Sequence, residues 1–324
     1  MKTNIKSKPK QKHLGFKLRK NIPIATLSNY KLGGKADYVA EPKTKDEAIT
    51  VLNWIEEQKL PFMIWGGGTN ILPSDEEYKG VILHPKFEEL SVSKNIITVG
   101  AGVLVADLLK FTIKKKLSGL EWAGGLPGTV GGAVRGNAGC FGGEIKDNLV
   151  SVTSINIKTK KVETRSKKNC QFDYRQSYFK KRENKDLIVS ARFKMKPGKE
   201  ADIKRSIKEK VDYRNDRHPL DYPSIGSMFK NVPWKMVPSK YQTQLQEVVK
   251  QDPFPVVPTA YLLSECKLKG KTFGGAQISE KHPNFIINKN HATAHDVKSL
   301  LFMMKRAVQK SFGIKIEEEV IILS

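Results

Sequence analysis

The sequence predicts an α+β protein of two domains, and three observations support that fold class. The chain has 324 residues, which is enough for two or three domains with substantial cores. Helical patterns alternate irregularly with short strand-like segments, so regular strand–helix–strand repeats are not expected. Ten of the 25 glycines fall between Gly119 and Gly143, a concentration that indicates a backbone surface built for a ligand.

The first part of the chain contains two predicted helices and several short strands. Thr44 to Glu47 reads as a capping box, which opens a helix whose apolar face is Ala48, Val51, Leu52 and Ile55 and which closes before Pro61. A second helix is predicted over 105–116, ending before Gly119. Alternation of apolar and polar residues predicts strands over 81–84, 97–100, 151–158 and 187–195.

A boundary is predicted at Pro197–Gly198, so the expected units are a first domain over 21–197 and a second over 198–324. In the second domain, periodicity predicts helices over 201–213, 240–250 and 296–312, and strands over 284–287 and 314–323. The last helix places Val297, Leu300, Leu301, Met304 and Val308 on one face, and Gly313 ends it.

The first 20 residues carry eight Lys or Arg and no acid, and no hydrophobic stretch follows them. We therefore expect residues 1–20 to be a disordered basic arm and not a secretory signal.

Two glycine-rich segments are candidates for binding an anionic ligand. Gly66 to Asn70 follows a strand-like segment, and successive unpaired amides in such a turn form a positive concavity. The second run, 119–143, contains Leu, Trp, Val and Phe residues, which a flexible linker would lack. Neither run matches GxGxxG or a Walker loop, so a cradle of another kind is expected.

Charge and cysteine content restrict the class of function. The net charge is +24, but 47 lysines outnumber 10 arginines and are spread along the chain. This pattern favours a solvated surface that attracts acidic small molecules over a nucleic-acid interface. No apolar run reaches the length of a membrane span. Three cysteines without a CxxC pair, and histidines without ligand spacing, predict no disulfide framework, no metal and a cytoplasmic location.

Seven ordered segments resemble one enzyme family, the UDP-N-acetylenolpyruvoylglucosamine reductases of bacterial cell-wall synthesis, in their shorter type. The similarity covers nearly the whole chain from about residue 22. The segments are LGGKADYVAEP (32–42), WGGGTNIL (65–72), GLEWAGGLPGTVGGAVRGNAGCFGGEI (119–145), FDYRQSYF (172–179), YPSIGSMFKN (222–231), KLKGKTFGGAQISEKHPNFIIN (267–288) and IEEEV (316–320).

The resemblance implies an FAD-binding domain of the vanillyl-alcohol-oxidase (PCMH) type in two lobes, followed by an α+β substrate domain. It also implies that NADPH reduces a noncovalently bound FAD, which then reduces UDP-N-acetylglucosamine enolpyruvate to UDP-N-acetylmuramate. Two alternatives stay open: an FAD-dependent sugar or alcohol oxidase of the same cofactor fold, and a basic binding protein with a decayed site. The sequence does not indicate an oligomeric state.

Three residues match the catalytic positions of that family: Arg175, Ser227 and Glu319. Hydride transfer to an enolpyruvyl ether leaves negative charge beside a carboxylate, which requires cationic donors and a proton source. The guanidinium of Arg175 suits a carboxylate, and Ser227 is the expected acid. Because side chains alternate in a strand, Glu317 would share a face with Glu319 and is the fallback.

The resemblance also assigns binding residues. Tyr174, Lys230 and Asn231 are expected to contact the substrate. Cofactor contacts are expected from Gly66, Gly67, Gly68, Thr69, Asn70, Gly125, Gly128, Thr129, Gly131, Gly132, Ala133, Asn137 and Arg214. Departures from the family pattern are Val232, Tyr261, Ile321 and an insertion over about 233–258, which lies next to the expected substrate site.

Overall fold

A computed structural model describes residues 15–252 and 254–323. Most of the expected basic arm lies outside these residues. The predicted disorder extends too far along the chain: residues 18–20 are ordered, because the first strand begins at Leu18 and pairs with a neighbouring strand. Among the described residues, no helix is both long enough and apolar enough to cross a membrane.

The first lobe is a four-stranded sheet covered by one helix. Its elements are β1 (Leu18–Pro23), β2 (Lys35–Ala40), α1 (Lys45–Glu57), β3 (Phe62–Ile64), β4 (Ile71–Leu72) and β5 (Tyr78–Leu83). The sheet order is β1-β2-β5-β3, with β1 antiparallel and the rest parallel. Thr44 caps α1 by accepting from the Glu47 amide, whereas the Glu47 carboxylate accepts from Lys43, so half of the predicted capping box forms.

The second lobe is a five-stranded antiparallel sheet of order β12-β11-β13-β7-β6. Its hydrophobic core is continuous with that of the first lobe, which confirms the expected two-lobed domain. The elements are β6 (Leu90–Ser93), β7 (Ile96–Gly100), α2 (Val105–Lys114), β8 (Leu117–Ser118), α3 (Val130–Gly136), β9 (Gly139–Cys140), β10 (Gly143–Glu144), α4 (Ile145–Asn148), β11 (Leu149–Asn156), β12 (Val162–Ser166), α5 (Tyr178–Lys181), β13 (Asp186–Lys194) and β14 (Lys196–Pro197).

The remaining chain forms a smaller α+β unit with its own core. Helix α6 (Glu200–Arg217) precedes this unit, whose elements are β15 (Val232–Pro233), α7 (Ser239–Leu245), β16 (Val256–Val257), α8 (Thr259–Glu265), β17 (Thr272–Phe273), β18 (Ala276–Ile278), β19 (Ile286–Asn288), α9 (Ala294–Phe312) and β20 (Ile321–Ile322). Short 3₁₀ turns lie at Ile24–Thr26, Glu121–Ala123, Lys168–Cys170, Trp234–Met236 and Gln246–Val248.

Two sequence expectations are corrected here. Packing does not change at Pro197–Gly198, because α6 packs on the second lobe, where Ile203 is buried and the Arg214 Nε donates to the Gly124 carbonyl. The predicted strand over 314–323 is also wrong. Burial alternates along the segment, with Ile314 and Ile316 buried, as it would in a strand. Among the residues that the structure describes, however, this segment pairs through its backbone only in a bridge at Glu318 and in β20.

The chain end returns to the first lobe and brings the two units together. Strand β20 pairs in parallel with β4, and Tyr30 of the first lobe is buried within the core of the second unit. The Tyr30 hydroxyl donates to the Ile286 carbonyl at 2.8 Å, and the Asn288 amide donates to the Tyr30 carbonyl at 3.0 Å. The terminal acidic residues are thereby placed beside the first glycine turn.

Candidate functional site

The two glycine runs, far apart in sequence, meet in the folded chain. A Cβ on Gly67 would lie 2.7 Å from the Cα of Gly128, and one on Gly128 would lie 2.7 Å from Thr69 Oγ1. Gly128 also has a φ of +98°, which side-chain-bearing residues rarely adopt. Glycine is therefore required for the close approach of the two turns, as the sequence indicated for this region.

The turn over 66–70 exposes a row of backbone donors. The amide of Trp65 completes the sheet by donating to Leu83. Within the described part of the chain, the next five amides, from Gly66 to Asn70, have no acceptor. Successive unpaired amides form a concavity that attracts anions, so this turn fits the pyrophosphate of a dinucleotide.

The second run contributes fewer free donors than the sequence suggested. The amide of Gly131 donates to the Ala101 carbonyl at 2.9 Å, and those of Gly132 and Ala133 are satisfied by Thr129. These residues form α3, a helix that the sequence analysis missed because glycine is a poor helix former. The feature of the sequence that could have indicated this helix is Thr129, whose hydroxyl caps its N-terminus.

Arg175 lies on a strained hairpin turn. Asp173 and Gln176 exchange backbone hydrogen bonds at 3.0 Å, with Tyr174 and Arg175 between them. Arg175 has a φ of +52°, a left-handed conformation that favours glycine. The turn directs Arg175 Nε to Glu319 Oε1 at 2.8 Å and Nη2 to the Gly139 carbonyl at 2.7 Å.

Burial and charge set the electrostatics of this pair. Burial disfavours the charged guanidinium, but Glu319, Tyr174 and Cys140 together outweigh burial, so the pKa of Arg175 is raised and its charge is secured. Burial also raises the pKa of Tyr174, which keeps the phenol neutral beside Arg175. A fixed positive charge therefore lies in a partly desolvated site.

The terminal acidic triplet separates into three environments. Glu317 pairs with Lys230 at 3.0 Å, Glu318 with Lys305 at 2.8 Å, and Glu319 with Arg175. The Glu319 carbonyl also accepts from Asn70 Nδ2 at 3.1 Å. The structure thus favours Glu319 over the fallback Glu317, because Glu319 alone of the triplet contacts both Arg175 and the glycine turn.

Ser227 is held beside Glu319 by the backbone. The adjacent Met228 carbonyl accepts from the Glu319 amide at 2.8 Å. Asn284 fixes the same segment, since Met228 donates to its carbonyl and Phe229 exchanges hydrogen bonds with its side chain. Sequence reasoning did not single out Asn284, because its partners lie more than 50 residues away.

Asn137 and Arg214 use their polar groups within the protein. Asn137 is fully buried; its Nδ2 donates to the Asp173 carbonyl at 3.0 Å and its Oδ1 accepts from the Lys146 amide. Arg214 donates from Nη2 to Cys140 Sγ at 3.0 Å and from Nε to Gly124. Both side chains therefore organise loops of the site.

The three expected substrate residues have different partners in the structure. Tyr174 is next to Arg175, Lys230 is paired with Glu317, and the Asn231 side chain accepts from the Thr259 amide at 3.3 Å. The rings of Tyr174 and Phe254, the latter in the insertion, pack edge to face with their centroids 5.1 Å apart. The inserted segment therefore reaches the site. Within the described residues, no group of three or more His, Cys, Asp or Glu is placed to hold a metal.

Comparison with known proteins identifies both units of the fold. Residues 36–164 match an FAD binding domain, and residues 218–323 match the C-terminal domain of UDP-N-acetylenolpyruvoylglucosamine reductase. The first match confirms the predicted FAD-binding fold.

Curated relatives span nearly the whole chain. The UDP-N-acetylenolpyruvoylglucosamine reductase of Carboxydothermus hydrogenoformans is 36% identical over 318 residues, which is 96% of each chain. The enzyme of the same name from Geobacillus thermodenitrificans is 33% identical over 93% of this chain and 91% of its own. The crystal structure of the Thermus caldophilus reductase superposes with a TM-score of 0.75 at 26% identity, covering 95% of this chain and all of that one.

Proposed function

Because the chain belongs to the UDP-N-acetylenolpyruvoylglucosamine reductase family, we propose that it reduces UDP-N-acetylglucosamine enolpyruvate to UDP-N-acetylmuramate, a step of peptidoglycan precursor synthesis. The hydrogen bond from Asn70 to the Glu319 carbonyl carries this proposal, because it joins the dinucleotide cradle to the Arg175–Glu319 pair. Cofactor and acid–base groups are then adjacent, as hydride transfer coupled to protonation requires. A cytoplasmic location follows from the UDP-sugar substrate and NADPH.

The cofactor site is assigned from the available donors. The amides of Gly66, Gly67, Gly68, Thr69 and Asn70 would hold the FAD pyrophosphate, and those of Gly125, Gly128 and Thr129 would form a second wall. Gly131, Gly132 and Ala133 shape that wall by packing, and Asn137 and Arg214 hold the loops around it. When bound in this cradle, FAD would supply hydride chemistry, with NADPH as the hydride donor and the enolpyruvyl sugar as the acceptor. Arg214 donates to the Cys140 sulfur, and the FAD would be held noncovalently.

Each catalytic residue would have a separate role in the reaction. Arg175 would bind the substrate carboxylate and stabilise the negative charge that develops beside it. Ser227 would donate the proton to the carbon that becomes anionic, and the nearby cation Lys230 would favour its alkoxide. Glu319 would keep Arg175 oriented, and Tyr174 and Asn231 would line the substrate pocket.

The two alternative functions are less well supported. An oxidase has no need of the proton-donating set, and a decayed site would be expected to lose its ion pairs. In this chain Arg175 and Glu319 form a pair at 2.8 Å, and the Met228 carbonyl, adjacent to Ser227, accepts from the Glu319 amide.

The decisive test is anaerobic reoxidation. The purified protein is expected to be yellow, with flavin released on denaturation. NADPH should bleach the flavin, and UDP-N-acetylglucosamine enolpyruvate should restore its absorbance without oxygen. Reoxidation by oxygen but not by the enolpyruvyl substrate would instead support the oxidase, and a colourless protein that takes up no FAD would exclude both enzymes.

Ser227→Ala tests the proton donor. We expect reduction by NADPH to be unchanged and substrate-driven reoxidation to slow by about two to four orders of magnitude, the usual effect of losing a general acid. Stopped-flow measurement of the two half-reactions separates them. Equal losses in both would argue against the acid role.

A further inference from the structure

Lys180 is a partly buried lysine that the catalytic scheme above does not use. It lies on α5, and its Nζ donates to the carbonyl of Arg175 at 2.9 Å. Its neighbour Lys181 is exposed to solvent. The two lysines of one short helix therefore have different environments, and only Lys180 faces the site.

The carbonyl that Lys180 holds belongs to the strained residue of the turn. A left-handed φ of +52° at an arginine persists only when surrounding contacts enforce it. Asp173 and Gln176 close the turn, and Asn137 fixes it from the Asp173 side. Lys180 acts on Arg175 itself, and its hydrogen bond is charge-assisted, which makes it stronger than a neutral one.

Helix α5 is itself anchored to the cofactor domain. Ser177 caps the helix by accepting from the Lys180 amide at 3.2 Å, and its hydroxyl donates to the Arg135 carbonyl of α3 at 2.6 Å. Ser177 is fully buried. Lys180 therefore connects the helix beside the glycine cradle to the backbone of Arg175.

The charges around Lys180 come from several elements. Burial lowers its pKa, and so do Arg135 of α3, Lys230 and Arg175, whereas Glu319 of the chain end opposes them. Lys180 consequently loses its proton at a lower pH than an exposed lysine does. The hydrogen bond from Lys180 to the Arg175 carbonyl can therefore be tested by raising the pH.

We propose that Lys180 is a positioning residue for the reaction: its ammonium group holds the Arg175 carbonyl and so keeps the guanidinium directed at Glu319 and the substrate carboxylate. This inference rests on the proposed function. It assigns to Lys180 no contact with the substrate.

The test compares Lys180→Met with Lys181→Met, its exposed neighbour. We expect Lys180→Met to slow substrate-driven reoxidation by about tenfold to a hundredfold, since small displacements of a catalytic group have effects of that order. Flavin reduction by NADPH should be unchanged, and Lys181→Met should behave as wild type in both half-reactions. Flavin content and melting temperature check that each variant is folded, and Lys180→Gln replaces Lys180→Met if the latter does not fold.

Two further measurements separate positioning from direct binding. If Lys180 acts through Arg175, the effect of Lys180→Met should largely vanish in an Arg175→Lys background, and additive effects would overturn the proposal. Lys180→Arg should retain reoxidation at alkaline pH, where wild type declines as Lys180 loses its proton. If the rate of reoxidation falls at the same alkaline pH in Lys180→Arg and in wild type, the positioning role is also overturned.

The outcome for Lys180 is distinguishable from that for the function. If wild type is not reoxidised by the enolpyruvyl substrate, the proposed function fails. If wild type reacts and Lys180→Met matches Lys181→Met, only the positioning role fails. A crystal structure of Lys180→Met in which Arg175 keeps its positive φ and its contact with Glu319 would equally contradict it.

Discussion

At the scale of single residues, the absence of a side chain decides whether the two glycine turns can meet. Gly67 has an ordinary backbone conformation, so its importance is purely steric: an added Cβ would lie 2.7 Å from Gly128 and 3.3 Å from the Thr129 amide. Both neighbouring atoms belong to backbone and cannot rotate away. The cradle therefore depends on a contact that alanine would abolish.

We predict that Gly67→Ala separates the turns and weakens FAD binding. Overpacking of this kind costs about 1–3 kcal/mol, which corresponds to roughly a five- to 150-fold loss of FAD affinity if the cost falls on the bound state. The dissociation constant for FAD is measured by titrating the apoprotein with FAD and following flavin fluorescence. Gly136→Ala is the matched control, because a Cβ there meets nothing within 4 Å, and wild-type affinity at Gly67→Ala would contradict the steric account.

At the scale of elements, the insertion over 233–258 joins the two units across the site. Lys250 and Val256 exchange backbone hydrogen bonds at 2.9 Å. Asp252 Oδ2 accepts from the Gly142 amide at 2.7 Å, and Phe254 packs edge-on against Tyr174. The inserted segment therefore contacts both the glycine loop and the Arg175 turn.

We predict that Phe254→Ala raises KM for the sugar nucleotide by about two- to tenfold, because an aromatic pair contributes about 0.5–1.5 kcal/mol. Flavin reduction should be unaffected, since the contact supports the substrate side of Arg175. Steady-state kinetics with varied substrate provide the measurement. Met236→Ala, an exposed change in the same insertion, should have no effect, and an unchanged KM in Phe254→Ala would mean that the contact does not shape the pocket.

At the scale of the whole molecule, three partly buried histidines make the fold sensitive to acid. Desolvation lowers the pKa of His84, His218 and His282 to about 4. An unfolded histidine binds its proton near pH 6.5, so the unfolded state takes up protons first as the pH falls. The stabilising contribution is complete above pH 6.5 and is lost progressively between about 6.5 and 4.

We predict that the free energy of unfolding decreases by a few kcal/mol between pH 7 and pH 4.5, since each pKa unit corresponds to about 1.4 kcal/mol. Urea unfolding of the apoprotein at both pH values measures this change. His218→Gln should reduce the pH dependence, whereas His295→Gln, an exposed change, should leave it intact. If the free energy of unfolding of wild type does not change between these pH values, protonation of the three rings does not destabilise the fold.

Local patterns account for what could be predicted from the sequence. The α1 and α9 helices follow apolar periodicity and caps, and the alternating strands of the two lobes follow the two-residue repeat. Arg175, Ser227 and Glu319 were predicted from ordered motifs, and two of them meet at 2.8 Å. The terminal strand failed because alternation of buried residues does not reveal whether backbone partners exist.

The sequence by itself determined the fold class, the glycine turn over 66–70 and the family, because these depend on residue types at short spacing. Only the tertiary structure decided which amides stay free, which glutamate pairs with Arg175, and that Lys180 supports the strained turn. Each of these depends on a hydrogen bond between segments brought together by folding. Such contacts leave no periodic trace in the chain, since their geometry is set by the packing of the two units.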